Sequence, residues 1–288
     1  MQNQSSPISI GELLAGNVQL ASPPELFLKL NGILDDPTKN MLDASRVIEH
    51  DPGLSARLLR IVNSAFYGFP SKIISITQAV SIIGIQELRD LVLATLVVER
   101  FSSLTSGLMT MRQFWMLSVR CALIARYLAA RHPESKRLHA AFICGLLHEI
   151  GRLVVYHRIP ELSRAALLRA KSDGLAEHEA EREVMGFDHY QVGAELTRRW
   201  RLPEVIVATI EHHDTPEAAA EFDQDALLVV LASELSTLDW SDQQLLDSRL
   251  PKDAPIWGRI SMEREVLDEV LPAAETAFGE VFRQIYQA

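Results

Sequence analysis

Apolar residues recur along this chain at the three- and four-residue spacing of an amphipathic helix, and no stretch alternates as a strand would. The stripe formed by Leu26, Leu30 and Ile33 is one example, and the apolar run over residues 86–100 is a longer one. A pattern of this period can bury its apolar side only as a helix packed against other helices. The sequence therefore predicts an all-α fold.

Glycine, proline and serine mark the places where the helical pattern is interrupted. The segment 102–107 contains serine and glycine and predicts a linker between two helical subdomains. The segment from Trp240 to Ile260 has two prolines and little periodicity, so we expect a long loop there. The predicted organisation is an N-terminal extension, an N-terminal helical half, a second helical half, and a C-terminal loop with closing helices, over residues 1–20, 21–105, 106–240 and 241–288.

The overall charge and the two cysteines limit the classes of protein that fit. The 288 residues carry a formal charge of −10, which argues against a protein that binds nucleic-acid backbones through a broad basic face. Cys121 and Cys144 lie in apolar segments without CxxC spacing, so buried reduced thiols are expected. No signal peptide is visible, and no apolar run is long enough to span a bilayer. We expect a cytoplasmic protein with no membrane partner.

Histidines and a carboxylate at predicted helix ends form the main candidate site. His148 and Glu149 end one apolar helix, His189 begins a later helix, and His212 and His213 close the next one. Imidazole and carboxylate groups delivered from separate helices are the donor set of metal-dependent hydrolases. The alternative is structural, because histidines at helix ends also hydrogen-bond to the free carbonyl groups there.

Several segments carry a family resemblance. The segment His148-Glu-Ile-Gly-Arg152 resembles the His-Asp-Ile-Gly-Lys segment of HD-superfamily phosphohydrolases, which include the HD-GYP cyclic-di-GMP phosphodiesterases. The segment from Ile48 to Gly68 and the pattern Phe114-Trp-x-x-Ser118 are more specifically similar to the HDOD family, the HD-related output domain. The resemblance implies that the C-terminal subdomain is a degenerate HD-type helical bundle.

The resemblance also implies where the metal ligands of an HD enzyme would fall. The first histidine ligand falls on Leu117, the aspartate of the His-Asp pair on Glu149, and the final aspartate on Ser233. Only His148 is retained among the four core ligands. The extra methylene of Glu149 displaces its carboxylate by roughly an ångström, which is enough to cost much of a catalytic rate.

The other histidines leave a metal site open as an alternative. His189, His212 and His213 correspond to additional ligands of the HD-GYP type, so a weaker iron, manganese or zinc site is the alternative to an empty one. We predict no catalytic residue, no bound metal and no cofactor. The surviving polar residues are then expected to form a hydrogen-bonded network at the helix ends.

The function implied by the resemblance is signal transduction without catalysis. An HDOD protein of this kind is expected to bind other signalling proteins in trans, in two-component or cyclic-di-GMP pathways that regulate gene expression or motility. One alternative is a metal-dependent phosphohydrolase acting on a nucleotide such as cyclic-di-GMP. Another is a nucleic-acid-binding regulator, with Arg46, Arg57 and Arg60 contacting phosphates, against the net acidity of the chain.

The turn that follows the Asp51 region is a candidate partner or interdomain surface. Asn63 and Ser64 precede Tyr67 and Phe69 beside a Gly-Pro turn. Aromatic side chains at such a turn either pack against the second half or present a docking surface. We expect Phe66 to belong to the core, and both roles stay open for Tyr67 and Phe69.

Overall fold

Every regular element in this computed structural model is a helix over the residues that it describes, which are 8–15, 23–104, 107–240 and 242–286. The prediction of an all-α fold is confirmed. The predicted extension 1–20 and linker 102–107 lie partly outside the described residues. Within the described part of the chain, no helix is long and apolar enough to cross a membrane.

The N-terminal part of the chain is a series of short helices that end in one long helix. Side-chain caps fix several of the helix starts: Asn40 and Asp51 each accept a backbone N–H of the first turn, and so does Ser75. The helices are α1 (Ile10–Ala15), α2 (Glu25–Leu34), α3 (Met41–Glu49), α4 (Pro52–Val62), α5 (Ile76–Ile83) and α6 (Ile85–Phe101).

The second half is organised around its first helix, which packs against helices on several sides. Capping boxes at Thr110 and Asp188 begin the first and sixth helices of this half. The helices are α7 (Met111–Arg131), α8 (Ala141–Leu147), α9 (Ile150–Arg158), α10 (Pro160–Asp173), α11 (Glu177–Met185), α12 (His189–Arg199), α13 (Glu204–Glu211) and α14 (Asp223–Thr237).

The prediction of a long loop from Trp240 to Ile260 was wrong. The structure forms α15 (Gln243–Arg249) and α16 (Pro255–Arg259) there, ahead of the long closing helix α17 (Leu267–Ile285). Helices of seven and five residues contain too few apolar positions to show a period. Buried Arg264 holds the segment together by donating to the carbonyl oxygen of Leu250 at 3.2 Å.

One cluster of side chains joins the two halves. Glu87 of α6 accepts a hydrogen bond from the Tyr67 hydroxyl at 2.6 Å and pairs with Arg126 of α7 at 2.8 Å. The Arg126 guanidinium lies over the ring of Phe66, 5.2 Å from its centroid. Phe66 is buried and its centroid lies 5.6 Å from that of Phe142 in α8. The aromatic turn of the first half is therefore packed against the second half.

The remaining residues of the candidate surface divide into two groups. Asn63 bonds both backbone groups of Ile73 at 2.7 Å, so its side chain closes the turn rather than facing outwards. Ser64 is buried and donates to the carbonyl oxygen of Ile61. Phe69 is exposed and stacks on the half-buried ring of Tyr67. Of the four residues, Phe69 is the one that the structure leaves open to solvent.

Candidate functional site

Four helix ends of the second half meet at one place. His148 follows the last residue of α8, and Glu149 directly precedes α9. His189 is the first residue of α12, and His213 lies two residues beyond the end of α13. His148, His189 and His213 are all buried. Three of the four histidines predicted for the site are therefore brought together with Glu149.

Two glycines make this convergence sterically feasible. A Cβ atom on Gly151 would lie 1.9 Å from the carbonyl oxygen of His189 and 2.5 Å from the amide nitrogen of Gly193. A Cβ atom on Gly193 would lie 2.9 Å from Cγ2 of Ile210. Only glycine allows backbones to approach this closely. The crossing of α9 and α12 thereby places His189 next to Glu149.

A small cavity of about 60 Å³ lies between these helix ends and α7. His148, Glu149 and Arg152 line one side of it, and Leu117 and Ser233 line the other. The volume is enough for a few water molecules at most. The two positions at which the family resemblance places missing ligands therefore face the same space as His148.

Hydrogen bonds define the proton position on His148. Its Nδ1 lies 2.7 Å from the carbonyl oxygen of Gly145, which can only accept, so Nδ1 carries the proton. Its Nε2 lies 3.0 Å from the hydroxyl of Ser233 and accepts a hydrogen bond from it. Burial lowers the pKa of His148, which keeps the ring neutral. The lone pair that would ligate a metal is thus already engaged by Ser233.

Glu149 is held between two positive groups of the chain. Its Oε2 lies 2.9 Å from Nε of Arg152 and 3.4 Å from Nε2 of His189. Burial by itself would raise the pKa of this carboxyl group, but the charges of Arg152 and His189 outweigh that effect and hold the pKa well below its usual value. Glu149 is therefore ionised, although its buried Oε2 has no hydrogen-bond partner of good geometry among the described residues.

His189 is also held between two carboxylates. Its Nδ1 lies 2.6 Å from Oε2 of Glu181, which also accepts the backbone N–H of His189 at 2.8 Å. Burial opposes the charged ring, but Glu149 and Glu181 overcome it and raise the pKa of His189 to about 9. Its Nε2 lies 3.4 Å from Oε2 of Glu149 and also 3.4 Å from Nη2 of Arg152. Both ring nitrogens of His189 thus lie against side chains of the site.

Arg152 connects this network to α11. Its Nη2 lies 3.2 Å from Oε2 of Glu177, whose other carboxylate oxygen accepts the Tyr156 hydroxyl at 2.6 Å. Burial would lower the pKa of Arg152, but Glu149 and Glu177 reverse that effect and raise the pKa above its ordinary value. One guanidinium group thus serves two carboxylates at the centre of the site.

The adjacent histidines of the second group have different environments. His213 is buried, and its ring centroid lies 5.0 Å from those of His148 and Tyr190. Burial, reinforced by His148, lowers its pKa to about 3, so the ring is neutral. His212 is partly exposed and lies 3.9 Å from Glu211. The structure brings His213 into the site and leaves His212 outside it.

The donors present are an incomplete ligand set for a metal ion of the HD type. His148, Glu149 and His213 offer one ligand atom each, all within 4.8 Å of one another, and Nδ1 of His213 is buried without a hydrogen-bond partner among the described residues. Leu117 supplies no donor, and Arg152 lies 2.9 Å from the one carboxylate of the set. A divalent cation here would compete with a guanidinium group for a partly buried carboxylate, at an electrostatic cost.

A second acidic group beside the site is also engaged in internal hydrogen bonds and ion pairs. Glu177, Glu181 and His189 offer ligand atoms within 4.8 Å of one another. Glu177 is engaged by Arg152 and Tyr156, and Glu181 by the ring and backbone of His189. Because both ring nitrogens of His189 lie against side chains of the site, this group lacks a free imidazole nitrogen.

The ionisation of His189 predicts a pH dependence of stability. The folded-state pKa of His189, about 9, exceeds its unfolded value of about 6.5. The stabilisation that protonated His189 gives the folded state is therefore fully present below the unfolded pKa and is lost as pH rises through the folded pKa. We expect the free energy of unfolding to fall by up to about 1.4 kcal/mol per pH unit between these limits. Urea titrations across this range measure the slope. His189→Gln should flatten it, whereas replacement of exposed His139 should not; equal slopes in all three proteins would contradict the assignment.

Three further residues belong to the site but were not predicted from the sequence: Arg152, Glu177 and Glu181. The spacing of Glu149 and Arg152, three residues apart on a helix, indicates a side-chain pair. The contribution of α11 has no such signal, because its polar pattern resembles any solvated helix. Glu181 is buried only because α11 packs beside α12.

Comparison with known proteins gives the class of this chain. The model of the HDOD domain matches residues 20–216, which include His148, Glu149, His189 and His213 but not Ser233 in α14. The chain belongs to the HDOD family. The resemblance inferred from the sequence motifs is thereby confirmed.

Relatives of known structure share the fold. An HDOD domain protein with unknown function from Geobacter sulfurreducens is 22% identical, with 96% of this chain and 97% of that chain covered and a TM-score of 0.76. A candidate phosphohydrolase from Shewanella amazonensis SB2B is 22% identical, with 97% and 99% covered and a TM-score of 0.73. At this identity the likeness is one of fold.

A relative is also found by sequence among curated proteins. An uncharacterised protein of Treponema pallidum (strain Nichols) is 27% identical over 245 residues. The match covers 84% of this chain but 47% of that protein, so the chain spans about half the length of the curated relative that it matches.

Proposed function

We propose that this chain is a non-catalytic cytoplasmic signal-transduction protein that acts by binding other proteins, in two-component or cyclic-di-GMP type regulation of gene expression or motility. The observation that carries the non-catalytic part is that Leu117 and Ser233, at two positions where the family resemblance places ligands, face the same cavity as His148. Arg152, at the position of the lysine in the HD motif, pairs with Glu149 at 2.9 Å beside that cavity. The space that would hold the metal of an HD enzyme is therefore lined by few groups that could ligate it.

Electrostatics supports this interpretation of the site. Glu149 is balanced by Arg152 and by the His189 imidazolium, so a further cation would meet like charges in a buried, weakly screened environment. Leu117 adds an apolar group where hydrated metal would need a ligand. The network therefore has a structural purpose, which is to hold the ends of four helices together.

Binding to other proteins is supported by the distribution of exposed apolar side chains. Contiguous exposed apolar surface commonly marks interaction sites. Among the described residues, six of the eight large apolar side chains that are exposed belong to the N-terminal half: Leu28, Met41, Leu42, Phe69, Ile74 and Ile82. This half, rather than the former metal site, is the part that we propose to contact partners.

The proposed partner surface can be tested with charge-introducing variants. Chemical crosslinking in the native host, followed by identification of the crosslinked protein, supplies a partner whose affinity can be measured with purified components. Ile74→Asp, at a side chain that is 75% exposed, is expected to weaken that affinity at least tenfold. Leu168→Asp, at a 64% exposed position in the second half, is the matched control. Equal affinities for both variants and the parent would count against the N-terminal surface.

A metal-dependent phosphohydrolase is the second candidate function, favoured by the three donor atoms of His148, Glu149 and His213 that lie within 4.8 Å of one another. The decisive measurement is metal content after purification and after incubation with iron, manganese or zinc, together with hydrolysis of cyclic-di-GMP. We expect far less than one metal per chain and no turnover above buffer. Stoichiometric metal with turnover would overturn the non-catalytic proposal.

A matched variant makes this negative result informative. Restoring the family pattern requires Leu117→His, Glu149→Asp, Arg152→Lys and Ser233→Asp in one chain. If the residues present are what excludes metal, this combined variant is expected to bind metal under conditions in which the parent does not. Thermal unfolding with and without manganese provides a readout that is independent of turnover.

Nucleic acid is not among the partners that we propose. Arg57 pairs with Glu99 at 2.6 Å, and Arg60 donates to the side chain of Gln284 at 2.6 Å. Arg46 pairs with Asp43 at 3.3 Å, so all three arginines considered for phosphate contacts are engaged within the molecule. The net charge of −10 weighs in the same direction.

A further inference from the structure

A larger cavity adjoins the candidate site on the other side of α7. Its volume is about 560 Å³, within the usual range of small-molecule pockets. It lies between α7, the segment after α14, and α17, and is lined chiefly by Met116, Arg120, Leu238, Trp240, Glu275 and Phe278. A neighbouring cavity of about 330 Å³ shares Trp240 and Glu275 with it.

The cation in this cavity, Arg120, forms no direct ion pair among the described residues, although the carboxylates of Asp239 and Glu275 lie close enough to act on its charge. The guanidinium carbon of Arg120 lies 4.1 Å from the centroid of the Trp240 ring. Its one hydrogen bond to a carbonyl, that of Leu238, is long at 3.4 Å, and its Nε is buried without a hydrogen-bond partner. Buried polar groups of this kind normally have partners.

The surroundings of Arg120 also indicate the form of a ligand. Trp240 is fixed in place because its Nε1 donates to the carbonyl oxygen of Leu235 at 2.7 Å. Met116 and Phe278 form apolar walls. Burial lowers the pKa of Arg120, an effect that Glu275 and Asp239 offset only in part. A rigid aromatic wall beside a guanidinium fork matches an apolar body that carries a planar anionic group.

We propose that this cavity binds a small organic monoanion, with its carboxylate group on Arg120 and its aromatic or apolar body against Trp240 and Phe278. The two acidic side chains at the cavity, Asp239 and Glu275, disfavour ligands with several negative charges. None of the candidate metal donors His148, Glu149 and His213 lines this cavity, so the proposal is independent of whether that site is catalytic.

The cavity is placed so that a ligand would affect the candidate site. Thr237 lines both this cavity and the 60 Å³ cavity at His148. Met116 faces the larger cavity, and Leu117, the next residue of α7, faces the smaller one. A ligand that moves α7 or the end of α14 would therefore move a wall of both spaces.

The binding test uses the purified 288-residue chain and isothermal titration calorimetry. The probes are 1-naphthoate, which is a monoanion, 1-naphthyl phosphate, which carries about 1.5 to 2 negative charges near neutral pH, and 1-naphthylmethylammonium, which has a similar body with a positive charge. We expect 1-naphthoate to bind with one site per chain, and each of the other two probes to bind at least tenfold more weakly. Absence of 1-naphthoate binding, or tighter binding of either other probe, would overturn the proposal.

Variants locate the binding. Arg120→Met keeps the apolar stem and should weaken anion binding at least tenfold, as expected for loss of a charge-assisted hydrogen bond. Arg112→Met removes an arginine of the same helix that stacks on Phe282 outside the cavity lining and should leave the affinity unchanged. If Arg120→Met fails to fold, Glu275→Gln, at an exposed position, provides the second test and should strengthen anion binding severalfold. An unchanged affinity in Arg120→Met and in Glu275→Gln would contradict the proposed site.

Discussion

Replacement of Gly151 by alanine is expected to lower the free energy of unfolding by more than about 3 kcal/mol, or to prevent folding altogether. The added Cβ atom would lie 1.9 Å from the carbonyl oxygen of His189 and 2.5 Å from the amide nitrogen of Gly193. Both are backbone atoms, so no side-chain rotation relieves the overlap, and α9 and α12 must separate. Urea denaturation followed by circular dichroism measures the effect.

Gly32→Ala is the control for this prediction. Gly32 lies inside α2, and a Cβ atom added there meets nothing within 4 Å. In such a position alanine is expected to stabilise the helix by about 0.5–1 kcal/mol. If Gly151→Ala has a stability within about 1 kcal/mol of the parent, the crossing of α9 and α12 is not as close as described.

Replacement of Arg152 by methionine is expected to cost about 1–3 kcal/mol of stability, between the values for exposed ion pairs and for a buried pair that loses one partner. The variant keeps an apolar stem of similar length but leaves Glu149 and Glu177 without the guanidinium group that pairs with both. Their carboxylates then remain in a partly buried setting with less compensation. The free energy of unfolding near neutral pH, measured in urea, gives the cost.

Two further variants separate charge from packing. Arg164→Met removes a half-exposed arginine whose nearest carboxylate, that of Glu161, lies 3.6 Å away, and should change stability by less than about 1 kcal/mol. Combining Arg152→Met with Glu149→Gln removes the unpaired charge and should recover part of the loss. If the double variant is no more stable than Arg152→Met alone, the cost does not arise from charge at Glu149.

The helices were predictable because their signals are local. Caps such as Thr110 and Asp188 and the apolar period are properties of a few consecutive residues, and tertiary packing reinforced them. The short helices α15 and α16 were not predictable by the same means. They are held by tertiary bonds, such as that from Nε2 of Gln224 in α14 to the carbonyl oxygen of Arg259 in α16 at 3.1 Å, which the sequence pattern does not display.

The candidate site was predictable in part for a different reason. The family resemblance identified Leu117 and Ser233 as positions of missing ligands, and both face the same cavity as His148. No motif indicated the direction of each side chain, so the sequence could not distinguish His212 from His213. In the structure the ring of His213 is buried in the site, whereas that of His212, one residue earlier, is partly exposed. The roles of Glu177 and Glu181 depend on how α11 packs against α9 and α12, where their partners Arg152 and His189 lie, and this packing is a long-range property.

The arginine at the centre of the site changes how the molecule depends on its surroundings. An enzyme whose central cation is a bound metal ion must acquire that ion from solution and can lose it to chelators. Here the balancing charge is covalently part of the chain, three residues from Glu149, and is present in every copy from the moment of synthesis. Guanidinium remains charged at any physiological pH. The contribution of Arg152 to the charge balance at these helix ends therefore does not depend on the concentration of metal ions in the cell.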